Sequence, residues 1–134
     1  MVVKSIISVR NVVQAMEHGC AGVWISDHGG RQLDNSPAPM AALPRIADAV
    51  NGRVPIIVDG GFRRGQDVFR ALALGASAVA PGRPIIYGLS LGGASGVQSV
   101  LQHLKTELQM VMQLAGVPAI KDITRECVAP HRLA

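Results

Sequence analysis

The stretch VPIIVDGGFRRGQDVFRALALGASAVAPG, residues 54–82, decides the fold class. It begins with a nearly all-apolar strand (54–61), continues with a segment of helical spacing (64–76) and ends in a second apolar strand (77–82). Strands that are apolar throughout are typical of parallel sheets that are buried on both faces. This strand–helix–strand unit therefore predicts an α/β fold with right-handed crossover connections.

The same alternation of strand and helix recurs along the rest of the chain. Further strands are predicted at 2–7 and 21–26, and further helices at 8–19, 40–50, 95–116 and 119–127. Together these segments make about four parallel βα units in a single domain over residues 1–134. A closed (β/α)8 barrel takes about 250 residues. The sequence therefore predicts either an open sheet or half of such a barrel.

Composition excludes several classes of protein. A hydrophobic fraction of 49% with 16% charged residues indicates a folded chain. The net charge is +4, but the basic residues are scattered and few aromatic residues accompany them. This pattern argues against a nucleic-acid surface and favours a small anionic ligand. Cys20 and Cys127 match no metal or redox spacing, so we expect two unpaired thiols and no metal site.

Targeting signals are also not apparent in the sequence. The chain does not open on a basic-then-apolar leader, and its apolar runs stay short of the ~18 residues that a membrane span needs. We therefore expect a cytoplasmic protein that does not enter a membrane.

Residues suited to chemistry cluster at the carboxyl ends of the predicted strands. They are Lys4 in the first strand, Ser26, His28 and Arg31 after the second, Asp59, Gly60, Gly61 and Arg63 after the third, and Gly82 and Arg83 after the fourth. In parallel α/β folds this edge of the sheet binds ligands. We therefore expect these residues to converge on one site.

Two glycine–arginine segments in this set indicate a phosphate site. In DGGFRRG (59–65) and PGRP (81–84), glycines free backbone N–H groups to approach an anion at a helix start. Arg63 and Arg83 can each bind phosphate oxygens through two hydrogen bonds. The alternative is that both segments only turn the chain and that the arginines are solvated.

A titratable and a cationic side chain lie close together after the second strand. His28 can accept a proton near neutral pH, and Arg31 can hold a carboxylate, which suits an anionic substrate that must lose a hydroxyl proton. The alternative is a loop histidine bonded to backbone beside a surface arginine. Lys4 either faces an electron-rich ligand atom or lies at an exposed strand start.

Four motifs in order carry a resemblance to a known family: VKSI, GVWISDHGGRQLD, VPIIVDGGFRRGQDVFRALALGA and PGRPIIYGLSLGG. Across essentially the whole chain they resemble the second half of the FMN-dependent α-hydroxy-acid oxidases and dehydrogenases, such as glycolate oxidase and lactate oxidase. The resemblance implies strands five to eight of a (β/α)8 barrel. It also implies FMN-dependent oxidation of an L-2-hydroxy acid to the 2-oxo acid, with lactate or glycolate as the substrate type.

The resemblance further implies a role for each candidate residue. His28 would take the substrate proton, and Arg31 would bind the substrate carboxylate. FMN would be bound by Lys4 and Ser26 at the ring, by Asp59 at the ribityl chain, and by Gly61, Arg63, Gly82 and Arg83 at the phosphate. Gly60 and Phe62 complete the expected cofactor-binding set.

Departures from the family pattern accompany the resemblance. Asp27 stands where the family usually has asparagine, Ser5 where glycine is usual, and Pro81 where an apolar residue is usual. The resemblance also implies that the first four βα units, with the family's substrate-side tyrosines, are not in this sequence. We therefore expect little turnover from the chain alone, and either self-association or pairing with a complementary N-terminal half. The alternatives are a non-catalytic FMN- or phosphate-binding half-barrel and a truncated remnant that assembles with another chain.

Overall fold

The computed structural model describes residues 1–129. The strands are β1 (Val2–Lys4), β2 (Gly22–Ile25), β3 (Ile56–Asp59) and β4 (Ala78–Ala80). The helices are α1 (Val9–Glu17), α2 (Pro39–Val50), α3 (Gly65–Ala73) and α4 (Arg83–Leu114). Short 3-10 turns lie at His28–Gly30, Ile120–Asp122 and Arg125–Cys127. The predicted alternation of strands and helices is confirmed.

The four strands form one parallel sheet in the order β1-β2-β3-β4. Each strand lies beside the next one in sequence, as in a barrel, and no central strand is inserted between earlier ones. The register pairs Lys4 with Trp24 and Asp59 with Ala80, so these residues lie in rows across the sheet. Within residues 1–129 the sheet is open, with β1 and β4 as its edges.

Among residues 1–129, helices cover one face of this sheet and leave the other open, which differs from the expectation of burial on both faces. Alternate strand residues form the covered face, which packs on α1, α2 and α3: Val3, Val23, Ile25, Ile56, Val58 and Val79. The opposite residues form the open face: Lys4, Trp24, Ile57, Asp59, Ala78 and Ala80. Apolar runs suited to a fully buried sheet are therefore present, but within residues 1–129 helices pack on one face of the sheet alone.

The first helix begins and ends where its sequence signals predict. Ser8 caps α1, since its hydroxyl accepts a hydrogen bond from the Asn11 N–H at 3.2 Å. Gly19 follows the helix with a φ of 75°, a left-handed conformation that glycine adopts without strain. Val12 on the inner side of the helix is fully buried against the sheet.

The last long helix has a first arm that was not predicted. We expect a helix over 95–116, and the second arm of α4 matches it up to Leu114, but another arm precedes it, beginning at Arg83 with Pro84 in its first turn. Proline is favoured there because the first turn has N–H groups without helical partners, and this signal was missed. Gly92 and Gly93 are non-helical and break α4 into two arms. The arms touch at Gly88 and Gly96, where a Cβ on either residue would meet the other's backbone.

The predicted helix over 119–127 is wrong. The segment contains two separate 3-10 turns, and between them Ile123 and Thr124 are extended. Ile123 is buried in a small cluster with Phe69 and Ala73 of α3. Burying this β-branched side chain on α3 outweighs the weak local tendency to form a helix.

Candidate functional site

Three adjacent strands bring a polar cluster together at their carboxyl ends. The Lys4 ammonium donates to Ser26 Oγ at 2.9 Å and lies 3.1 Å from Asp59 Oδ2. Ser26 is buried, while the Lys4 side chain is 40% exposed and that of Asp59 is 17% exposed. Lys4 is therefore neither buried alone nor simply solvated, because a carboxylate and a hydroxyl from neighbouring strands hold it.

Trp24 is a member of this cluster that the sequence analysis did not single out. Its indole Nε1–H donates to Asp59 Oδ2 at 3.0 Å, and the Lys4 ammonium lies 5.3 Å from the ring centroid. Trp24 pairs directly with Lys4 across β1 and β2. The position of Trp24 beside Lys4 could have indicated its role, since buried indole N–H groups generally require a hydrogen-bond acceptor.

His28 lies in the 3-10 turn that follows β2, beside this cluster. Its backbone N–H donates to Ser26 Oγ at 3.1 Å, and its ring Nε2 lies 3.0 Å from Ser5 Oγ. Asp27 opens the turn, and its carboxylate accepts from the Gly29 N–H at 2.8 Å. An asparagine carbonyl could make the same bond, so the departure at Asp27 preserves the turn.

Two of the three arginines that the sequence assigns to anions lie near this turn, in different settings. Arg83, at the start of α4, donates to the Gly29 carbonyl at 2.8 Å, which ties the loop after β4 to the loop after β2. A Cβ at Gly29 would lie 2.7 Å from the same guanidinium, so the contact is close. Arg31 is exposed, and within residues 1–129 its side chain makes no protein hydrogen bond or ion pair.

The loop after β3 has the open backbone expected of an anion-binding turn. Gly60 and Gly61 have φ values of 95° and 83°, and a Cβ on Gly61 would meet nothing within 4 Å. Arg63 turns its guanidinium back to the Phe62 carbonyl, at 3.0 Å. The Phe62 side chain is buried in the core, so any contact of Phe62 with a ligand would use its main chain.

The start of α3 is fixed by two carboxylates. Asp67 accepts from the Arg63 and Arg64 N–H groups, each at 3.0 Å. Glu107, on the second arm of α4, accepts from the Gly65 N–H at 2.7 Å. The Gly65 backbone also packs directly on the α4 backbone at Leu108, which leaves no room for a side chain. These contacts hold the glycine loop from the helix side, and the sequence offered no signal for Glu107.

A cavity of about 640 Å³ opens beside His28. Its lining comes from the segment after β1, the first turn of α1, the loop after β2 and the first turns of α2, and it includes Ser5, Ser26, Asp27, His28 and Arg45. Within residues 1–129, no group of three or more His, Cys, Asp or Glu side chains is arranged to hold a metal ion. No helix among the described residues is long and apolar enough to span a membrane. Cys20 and Cys127 are both free thiols.

Comparison with known proteins identifies the family to which this chain belongs. A family model described as FMN-dependent dehydrogenase matches residues 1–130. The chain belongs to the FMN-dependent dehydrogenase family. The family resemblance drawn from the four motifs is therefore confirmed, and FMN is the cofactor of this family.

Curated relatives of this chain include hydroxy-acid oxidases. An L-lactate oxidase of Lentilactobacillus hilgardii is 54% identical over 123 residues, which make up 92% of this chain and 33% of the relative. A peroxisomal (S)-2-hydroxyacid oxidase of Arabidopsis thaliana is 51% identical over 128 residues, covering 96% of this chain and 35% of the relative. The chain thus spans about a third of the length of these relatives.

Solved structures confirm the fold. A Pediococcus acidilactici protein described as a lactate oxidase superimposes with a TM-score of 0.90 at 56% identity, over 92% of this chain and 34% of that chain. A mandelate oxidase bound to (S)-2-phenylpropionate gives a TM-score of 0.89 at 41% identity, over 92% and 37%. The four-stranded sheet with its helices is therefore a partial barrel of this family.

Proposed function

We propose that this chain is the FMN-binding part, over residues 1–134, of an oxidase that converts a small L-2-hydroxy acid to the 2-oxo acid. The observation that carries the proposal is the cluster of Lys4, Ser26 and Asp59, which joins the ends of three adjacent strands beside His28. The relatives' names favour lactate or glycolate as the substrate type.

The residues of the cluster fit a polar, electron-rich ring edge. Lys4 supplies a cation that is already oriented by Ser26 and Asp59, and its 40% exposed side chain leaves a surface for a ligand to contact. When bound, FMN would supply the acceptor for the substrate's electron pair. Lys4 and Trp24 both contact Asp59 Oδ2, which leaves Oδ1 to accept a hydrogen bond from a hydroxyl of the ribityl chain.

The phosphate would be bound by the two glycine–arginine loops. Gly61 and Gly82 leave open space where a side chain would stand, and Gly60, with a φ of 95°, turns the chain directly before Gly61. Arg63 and Arg83 now donate to single backbone carbonyls, so each guanidinium keeps further N–H groups for phosphate oxygens. Phe62 contributes its main chain to this loop.

The substrate would be handled by the turn after β2. His28 would accept the proton of the substrate hydroxyl at Nε2, the nitrogen that already faces a hydroxyl oxygen in this structure. Arg31, exposed and without a protein partner among residues 1–129, would bind the substrate carboxylate.

A second candidate function is FMN or phosphate binding without turnover. The observation that favours it is the open face of the sheet, where Ile57 and Trp24 remain partly exposed and Ala78 is exposed. A site that is open on this side admits water and positions a substrate poorly, which lowers catalysis more than binding.

The open edges also support a proposal about partners. Strands β1 and β4 have unpaired edges within residues 1–129, and unpaired edges favour pairing with further strands. We propose that a second copy of the chain or a complementary N-terminal half provides those strands.

The free thiols fit a reducing compartment such as the cytoplasm, which stays our proposed location. Two plant relatives are named as peroxisomal.

Titration of the purified chain with FMN tests the function. We expect saturable quenching of flavin fluorescence, and we expect Arg83→Ala to weaken binding by about tenfold, equal to about 1.4 kcal/mol. Arg53→Ala is the matched control, because among residues 1–129 Arg53 donates to two backbone carbonyls at the end of α2, away from the glycine–arginine loops. Its FMN affinity should equal that of the unaltered chain.

Addition of L-lactate without oxygen then separates the two candidate functions. Bleaching of the bound flavin, followed alongside light scattering, supports the oxidase and reports the assembly that carries it. Binding without bleaching supports the second candidate. A chain that gives no fluorescence change with FMN at any concentration would contradict both.

A further inference from the structure

Ser5 has a backbone conformation that is unfavourable for its residue type. It follows β1 with a φ of 71°, in the left-handed region where a Cβ is crowded by the backbone. Its N–H donates to the Trp24 carbonyl at 2.9 Å, which continues the parallel pairing and holds the backbone in this conformation. Glycine would adopt the same conformation without strain, so the serine side chain carries a cost here.

The Ser5 hydroxyl makes one hydrogen bond to protein among residues 1–129. Its Oγ lies 3.0 Å from Nε2 of His28, across 23 residues of sequence. His28 itself has a φ of 56°, so both ends of this hydrogen bond lie at left-handed positions. Both residues line the 640 Å³ cavity. Ser5 and His28 therefore both have unfavourable backbone conformations, and these bring the Ser5 hydroxyl to the His28 ring nitrogen at the wall of the cavity.

We propose that Ser5 is a positioning residue for His28, and that its hydroxyl donates to Nε2 and keeps the neutral ring protonated at Nδ1. This arrangement matters because a general base needs a free lone pair on the nitrogen that faces the substrate. A substrate hydroxyl can then replace the Ser5 hydroxyl at Nε2, and the ring needs neither to rotate nor to exchange its proton first. The inference rests on the proposed function in so far as His28 is the base.

Two substitutions separate this role from a purely structural one. Ser5→Ala keeps the Cβ, and therefore the backbone strain, but removes the hydroxyl. Ser5→Gly removes both. The protonation pattern of the His28 ring should follow the hydroxyl and change alike in both variants. Stability should follow the Cβ, so Ser5→Gly should unfold at a higher urea concentration than Ser5→Ala.

The readout is a long-range ¹H–¹⁵N correlation spectrum of the ¹⁵N-labelled chain at about pH 8, where an ordinary imidazole is neutral. In the unaltered chain we expect His28 Nε2 to resonate as an unprotonated nitrogen and Nδ1 as a protonated one. In both variants the Nε2 signal should shift toward that of a protonated nitrogen.

His18 provides the control within the same spectrum. Its Nδ1 lies 2.8 Å from the Gln14 carbonyl, which only accepts hydrogen bonds, so its ring is a reference for protonation at Nδ1. Its signals should be identical in all three proteins.

Two results would overturn the inference: identical His28 signals in the unaltered chain and Ser5→Ala, or a protonated Nε2 in the unaltered chain. If Ser5→Ala fails to fold, Ser5→Gly decides alone, because it relieves strain. The test needs no flavin. If the chain does not bind FMN, the proposed function is refuted, but the spectra still show whether Ser5 sets the protonation pattern of the His28 ring.

Discussion

The covered and open faces of the sheet are formed by alternate residues of the same strands, and their side chains have different surroundings. On the covered face, Val23, Ile25 and Val58 are fully buried against helices. On the open face, Lys4 and Asp59 form an ion pair, and Trp24 bonds to the same carboxylate. Because side chains alternate along a strand, one short strand supplies both the core and the site. Stability and ligand binding should therefore respond to different positions of the same strands.

The largest expected effect is the loss of a buried side chain on the covered face. Ile25→Ala should lower the free energy of unfolding by about 3 kcal/mol, because it removes apolar contacts and leaves a cavity in the core. Ile57→Ala on the open face is the matched control, with an expected loss of about 1 kcal/mol, since Ile57 is only partly buried. Urea unfolding measures both, and equal losses would contradict the division between the faces.

A smaller effect is expected where α4 contacts the start of α3. Glu107→Ala should cost about 1–2 kcal/mol, because it leaves the Gly65 N–H without its acceptor between α3 and α4. Glu107→Gln keeps an acceptor oxygen and loses only the half-exposed contacts with Arg64 and His103, so it should cost less than about 1 kcal/mol. If the glutamine variant were as unstable as the alanine variant, the charge rather than the Gly65 bond would hold the helices.

The smallest effect on stability is expected on the open face itself. Lys4→Met removes the ammonium and keeps most of the aliphatic stem, so stability should change by less than about 1 kcal/mol for this half-exposed pair. FMN affinity should nevertheless fall by about tenfold, or about 1.4 kcal/mol. Lys105→Met, at an exposed position of α4, should change neither quantity. A large loss of stability with unaltered FMN binding in Lys4→Met would reverse the roles assigned to the two faces.

Most of the fold was predictable because its signals are local. The Ser8 cap, the Gly19 stop and the apolar strand at 54–61 each specify their element from neighbouring residues. The errors occurred where distant contacts decide. Ile123 is extended because it packs on α3, and burial on both faces was inferred from strands whose open face has no covering layer among residues 1–129.

The site was predictable at the level of which strand ends converge, and less so at the level of individual bonds. Strand order alone brings Lys4, Ser26 and Asp59 to one edge, as the sequence predicted. The bonds from Trp24 to Asp59 and from Arg83 to Gly29 depend on side-chain rotamers and loop paths that no local pattern encodes. The ligand roles of all the candidate site residues stay predictions.

The break in α4 has a consequence for how this protein can be labelled or fused. The turn at Gly92–Gly93 lies at an exposed tip, where Leu91 is 90% exposed, whereas a few residues away Gly88 and Gly96 leave no space for a side chain. An inserted tag or fluorescent reporter at the tip would extend into solvent, while a single methyl group at either contact glycine would force the arms apart. The tip between the two arms of α4 therefore offers a point at which the chain can be attached to a surface or a second polypeptide without a change in the sheet.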